Sequence, residues 1–322
     1  ISNLFNPQGE KEGEGAGGDA QTAAPEVEGA VSEQQQEQVA EVANAEPEVE
    51  PEQTREERIA ELLQAHYDGF ATINVNVPNP VPDAEQATLP CEVRPPYMIN
   101  SGTRIANANT ARAANTAVRT LINTYPWGFR HGKASAAQIQ TFLQAAIDQG
   151  LTTNNTSVGL RDFLSLYGIG VDCSGLTSQG YNMLLTELGL TDEAQFDVNN
   201  TGSGSFRDAH SRFTAVSAPS DLRPGDALYL DNPAGIDHVR MVQNVTVNGT
   251  NIDFVTIESA GGTTNGPRQH HWRFTDATDF DSLQVSSDGG TTYTDSTENQ
   301  EFARFDALYP AEDEAAETQT QE

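Results

Sequence analysis

The sequence predicts an α+β fold in which a helical layer packs on an antiparallel sheet. Three observations carry this. Apolar residues recur at helical spacing up to about residue 190, two-residue alternation replaces that pattern afterwards, and Asn248-Gly249 sits between two β-prone runs. Helices followed by strands read as segregated layers, and Asn-Gly is a strong signal for a tight hairpin.

Element by element, residues 1–53 are rich in Glu, Gln, Gly, Ala and Pro, with too few large apolar side chains to offset the entropy of ordering. They read as a disordered acidic tail or linker. At Thr54 a capping box (Thr54 to Glu57) opens a helix carrying Ile59, Leu62, Leu63, Tyr67 and Phe70 on one face. Residues 71–101 mix prolines with short β-prone runs such as Ile73 to Val77, which favours an extended arm. The expected domains are therefore 1–53, a docking helix and arm at 54–101, a main domain at 102–310, and an acidic disordered tail at 311–322. Within the main domain, Thr103–Asn123 and Ser135–Gln149 read as helices, the second stopped by Gly150. A third helical pattern spans Val171 to Leu190. Strand candidates follow at Ala227–Leu230, His238–Val245, Ile252–Ser259, His271–Phe274 and Phe302–Leu308.

Composition removes several function classes. The 322 residues are 36% hydrophobic with mean hydropathy -0.52, and no stretch reaches the ~20 apolar residues of a membrane span. A net charge of -30 would repel phosphate backbones, so nucleic acid is not an expected partner. The acidity reads either as a surface kept soluble in a salty medium or as compositional drift. Two cysteines, Cys91 and Cys173, exclude a four-cysteine zinc site and leave one bridge open. Neither a metal nor another cofactor is called for, because the Asp-rich stretches 276–281 and 287–295 lack the ligand spacing of a calcium loop. No signal peptide is visible at Ile1, and a chain starting with isoleucine reads as lacking its natural start, so localisation stays open on this ground.

Chemistry concentrates at Asp172-Cys173-Ser174-Gly175-Leu176, which opens the helical run Leu176, Met183, Leu184, Leu188. A cysteine at a helix start faces unsatisfied backbone N–H groups that stabilise a thiolate, the attacking species. The plainer alternatives are a buried structural cysteine or a Cys91–Cys173 bridge. A thiolate needs a base, and His238 begins the strand His238-Val239-Arg240-Met241-Val242 after the turn at Leu222-Arg223-Pro224-Gly225-Asp226. The other five histidines lack such a setting.

The blocks Tyr167 to Leu176, Leu222 to Asp226 and His238 to Val242, in that order, resemble those of NlpC/P60 cysteine peptidases, whose plan the CHAP amidases share. Tyr125-Pro126-Trp127-Gly128 resembles the family's Tyr-x-Trp-Gly block, here separated from the cysteine by a helical insertion at about 133–160. The resemblance implies a papain-like fold and hydrolysis of amide bonds in peptidoglycan stem peptides, in the cell envelope or outside the cell. It also implies roles: Cys173 as nucleophile, His238 as base, and a tyrosine, Tyr125 or the nearer Tyr167, as second oxyanion donor.

The residue orienting the imidazole is less determined. A strict two-residue hairpin with Asn248 and Gly249 at its tip sets His238 opposite Ser259 and turns Glu258 to the other face; a three-residue turn or a bulge returns Glu258. Glu258 is preferred, because a carboxylate holds an imidazolium. Arg240, Asp172, Ser174 and Trp127 are the substrate-binding candidates, Arg240 either for a substrate carboxylate or in an ordinary salt bridge. Residues 1–70 are a candidate contact for a carrier or assembly partner. Two other functions stay in view: a noncatalytic wall- or partner-binding module, and a thiol acyltransferase or deamidase.

Overall fold

The computed structural model describes residues 53–82, 85–98, 102–231, 237–261, 265–297 and 300–310. The expected acidic tails lie outside these, apart from Gln53. Among the described residues the architecture is mixed α+β, with six α-helices and two antiparallel sheets. No helix there is long and apolar enough to cross a membrane.

Helix α1 (Arg55–Ala71) starts where the capping box places it: Thr54 Oγ1 accepts the Glu57 N–H, and the Glu57 carboxylate accepts the Thr54 N–H at 2.9 Å. Strands β1 (Ile73–Pro78) and β2 (Thr88–Val93) form a small hairpin sheet. The expected single helix at 103–123 is two, α2 (Gly102–Ala114) and α3 (Thr116–Ile122). Asn115 divides them because its side chain takes the Val118 N–H as an N-cap, an alternative to continuing the helix. Helix α4 (Ala136–Asp148) has a Ser135–Gln138 capping box, and α5 (Ser157–Leu166) starts at the end of the expected insertion and runs beyond it. Helix α6 (Cys173–Glu187) is the expected nucleophile-bearing helix.

The main sheet has eight strands in the order β3-β10-β4-β5-β6-β7-β8-β9. These are β3 (Phe213–Ala215), β4 (Ala227–Leu230), β5 (His238–Asn248), β6 (Asn251–Ala260), β7 (Gly266–Phe274), β8 (Leu283–Ser286), β9 (Thr294–Asp295) and β10 (Gln300–Phe305). Alternation along β5 and β6 sorts side chains onto two faces. Val239, Met241 and Ile257 join the core under α1 and α6, whereas Val242, Ile252 and Phe254 join Trp272 and Phe274 on the far face. A third core gathers α3, α4 and α5 against β1 and β2.

Two contacts set how the layers meet. A Cβ at Gly180 of α6 would stand 2.7 Å from Met241 Sδ, so glycine lets the helix lie against β5. Beside it, the Gln243 amide hydrogen-bonds both Gln64 of α1 and Gln269 of β7. Helix α1 is thus built into the main core: Ile59, Leu62 and Leu63 pack with Cys173, Tyr181 and Met241. The helix expected to dock thus packs on its own chain, which commits its apolar face. Burying that face stabilises the helix far more than its propensity does.

Replacing the fully buried Leu63 by Ala is expected to cost about 2–5 kcal/mol. A denaturant titration of the full chain, compared with an exposed control such as Val247→Ala, measures it.

Candidate active site

The chain delivers Cys173 through a tightly held approach. Val171 forms a parallel bridge with Tyr97 and an antiparallel one with Lys133, so two distant segments flank the residue before the helix. Asp172 caps α6, its carboxylate accepting the Gly175 N–H while its own N–H reaches Gly132 O at 2.7 Å. Lys133 Nζ stands 3.0 Å from Asp172 Oδ1, also meets Ser174 Oγ, and donates to Thr201 O at 3.0 Å. Burial raises the Asp172 carboxyl, opposed by Lys133 and the Gly175 N–H. The N–H of Cys173, in the first turn, has no intrahelical acceptor.

The His238 imidazole and the Cys173 side chain stand near enough for the cysteine to bear on the ring's protonation. Its Nε2 hydrogen-bonds Glu258 Oε2, which leaves Nδ1 as the ring nitrogen for the sulfur. Burial alone would lower the ring's pKa, yet the hydrogen bond and charge of Cys173, and then those of Glu258, raise it to about 9. Both cysteines are free thiols, so no bridge competes for Cys173.

Strand register explains why Glu258 serves. The hairpin tip is Gly249-Thr250 rather than Asn248-Gly249, since Asn248 pairs with Asn251 and Gly249 supplies the positive φ of 66°. The register then shifts by one between Val242 and Asn244, where Gln243 bulges. Beyond the bulge Met241 pairs with Ile257, which returns Glu258 to the face of His238. Ser259 points the other way, and its hydroxyl donates to Val171 O at 2.7 Å, tying β6 to the approach to Cys173.

Glu258 is fully buried and surrounded by bases. Arg240 Nε donates to Oε2 at 2.8 Å, Arg268 Nε to Oε1 at 2.6 Å, and His270 Nε2 lies 3.4 Å from Oε1. Burial would raise this carboxyl, but Arg240, His238 and Arg268 hold it well below the usual carboxylate range.

The remaining candidates divide. Arg240 is 4% exposed and lies over the Trp272 ring at 4.9 Å, so it serves Glu258 and cannot reach a substrate carboxylate. Asp172 and Ser174 line the cleft at Cys173, with their side chains engaged by the cap and by Lys133. Trp127 lines it too, 52% exposed and stacked on His131 with centroids 3.9 Å apart. Tyr125 does not reach the cleft. It stacks on Phe129 at 4.3 Å within the helical core, because α3 and α4 offer its ring an apolar seat; Tyr167 is buried in that core as well, its hydroxyl taking a hydrogen bond from Asn115.

The tyrosine at the cleft is Tyr97, which lines it beside Cys173 and Asp172. Burial, with the neighbouring Cys173 and Asp172, pushes its hydroxyl well above the ordinary phenol range, which keeps it a donor. Sequence reasoning missed Tyr97, Lys133 and Arg268. Tyr97 follows Pro95-Pro96 in a stretch legible only as extended backbone, and the one sign of Lys133 is that the chain has just two lysines. Comparison with known proteins gives no lead: no family model, no curated protein and no solved structure matches this chain.

Replacing Glu258 by Gln removes the charge favouring imidazolium while burial persists, so His238 is expected to titrate well below about 9. A folded pKa raised above the unfolded value means the ring's contribution to stability is complete below about 6.5 and fades as pH rises through about 9. An NMR titration of the His238 ring in both proteins measures the shift.

Proposed function

We propose that the protein is a papain-like cysteine hydrolase of the NlpC/P60 type, cutting amide bonds in peptidoglycan stem peptides. One observation carries the proposal: a cysteine at a helix start lies close enough to influence an imidazole whose Nε2 is held by a buried carboxylate. Nucleophile, base and orienting group thus stand in the order that acyl-transfer chemistry requires. The order of sequence blocks around Cys173 and His238 supports the substrate class.

In this mechanism the Cys173 sulfur attacks the scissile carbonyl carbon, and the oxyanion is met by the Cys173 N–H and the Tyr97 hydroxyl. Imidazolium at His238 gives its proton to the leaving amine as the tetrahedral intermediate collapses to a thioester. The neutral ring then takes a proton from water, whose oxygen attacks the thioester and releases the acid and the thiol. Glu258 keeps the ring oriented and its charge compensated throughout.

Incubating the full chain with purified peptidoglycan and resolving the soluble muropeptides by mass spectrometry tests the reading. Cys173→Ala and His238→Ala are each expected to lower release at least about 10²-fold. Undiminished release by Cys173→Ala overturns the proposal, and no release by the unmodified protein favours a noncatalytic module. Because the amine leaves with a proton from His238, kcat/KM should fall as pH rises through about 9. Tyr97→Phe should reduce kcat by about 10²–10³-fold with KM little changed, the signature of a donor used in the transition state.

A further inference from the structure

A second cavity opens beside His131, the residue stacked on Trp127. Its volume is about 460 Å³, and its lining includes Asn109, Arg112, Arg119, Asn123, Arg130 and His131. His131 also lines the cleft at Cys173, so one ring is shared by both spaces.

The charge of this cavity is unusual for the chain. Acids outnumber bases 47 to 17, and Arg207, Arg273, Arg304 and Lys133 each pair with a carboxylate. Three of the 17 bases line this cavity, and among the described residues none of the three has a carboxylate within 4.0 Å. Arg112 is buried and spends its guanidinium on the carbonyls of Tyr167, Gly168 and Arg130 and on Asn109. Arg130 makes one long contact, 3.4 Å, with the Asn123 amide oxygen, and Arg119 is exposed.

The crowding leaves a mark on its neighbours. Burial and the charge of Arg130 lower Arg112 to about 10, and burial with Arg130 and Arg112 lowers His131 to about 4. His131 is therefore neutral at pH 7, and its Nδ1 is buried with no hydrogen-bond partner. Positive charge without a counter-charge in a concave site is favourable for a bound oxyanion, and arginine suits carboxylate and phosphate geometry.

Resting on the hydrolase reading above, we propose that this cavity is a subsite for an oxyanion group of the substrate. Arg119 and Arg130 contact the anion, Arg112 adds fixed charge from beneath, and the Trp127–His131 wall spaces the anion from the amide at Cys173. The substrate class is thereby narrowed to peptides or wall polymers carrying a carboxylate or phosphate near the scissile bond.

Full-length Cys173→Ala protein, titrated by NMR with N-acetylalanine and separately with inorganic phosphate, tests the site without turnover. Saturable shifts of the Trp127 indole and His131 ring signals are expected with at least one probe, and the probe that binds tells carboxylate from phosphate. Arg119→Gln with Arg130→Gln should weaken that binding at least tenfold, and Arg119→Gln alone should show part of the loss. Arg94→Gln, which removes an arginine bonded to Tyr67 outside this cavity, should leave it unchanged. Absence of saturable shifts with both probes, or equal affinity in the double variant, overturns the proposal. In the active protein the double variant should raise KM while kcat holds. Hydrolysis with an unchanged KM sinks the subsite and spares the hydrolase; anion binding in a protein that cuts nothing does the reverse.

Discussion

Burying a carboxylate with no exposure is affordable only where positive charge surrounds it, and Glu258 is the point around which the site is arranged. Arg240 and Arg268 neutralise it from within the sheet, and His238 and His270 lie against its two oxygens. The consequence runs outward in two ways. The imidazole acquires a fixed orientation and, after Cys173, a second group that raises its pKa, and β5, β6 and β7 acquire an ionic tie across their ends. A charge cluster of this kind is a poor source of net stability, because desolvation offsets much of the attraction. Its value lies in orientation.

Cys173 belongs to the helical layer and His238 to the sheet, so neither element makes the site alone. The helix start is fixed by its cap on Asp172, by Lys133, and by the bridges from Val171 to Tyr97 and Lys133. The strand is fixed by cores on both faces. Ser259 joins the two, its hydroxyl on the carbonyl of the residue just before the cap. Two adjacent residues of β6, pointing to opposite faces, thereby hold the His238 ring and the approach to Cys173.

Local signals were the legible part of the chain. Capping boxes at Thr54 and Ser135, the helix opening at Cys173 and the strand beginning at His238 each rest on residues adjacent in sequence, and each is present. What the sequence could not disclose depends on register and long-range packing. Glu258 was preferred on chemical grounds, but the bulge at Gln243 that turns it toward His238 has no signature among β-prone residues. Tyr97 reaches the cleft because the chain crosses beside Val171, a pairing across more than seventy positions, while Tyr125, the residue matching the motif, found a seat among phenylalanines. Arg240 could be read in sequence as a substrate ligand or an ordinary salt-bridge partner, and it is turned inward to Glu258, since the face of β5 that carries it is covered by Trp272.

The contact between Gly180 and Met241 has a mechanical meaning. It sets the gap between the two layers at a point in the same core as Cys173, with a hydrogen atom on one side and a pliable thioether on the other. A single methyl inserted there acts as a shim between the helix that carries Cys173 and the strand that carries His238. The spacing between Cys173 and His238 is thereby tied to interior volume, a dial on which selection can act in increments smaller than any change to those two residues themselves.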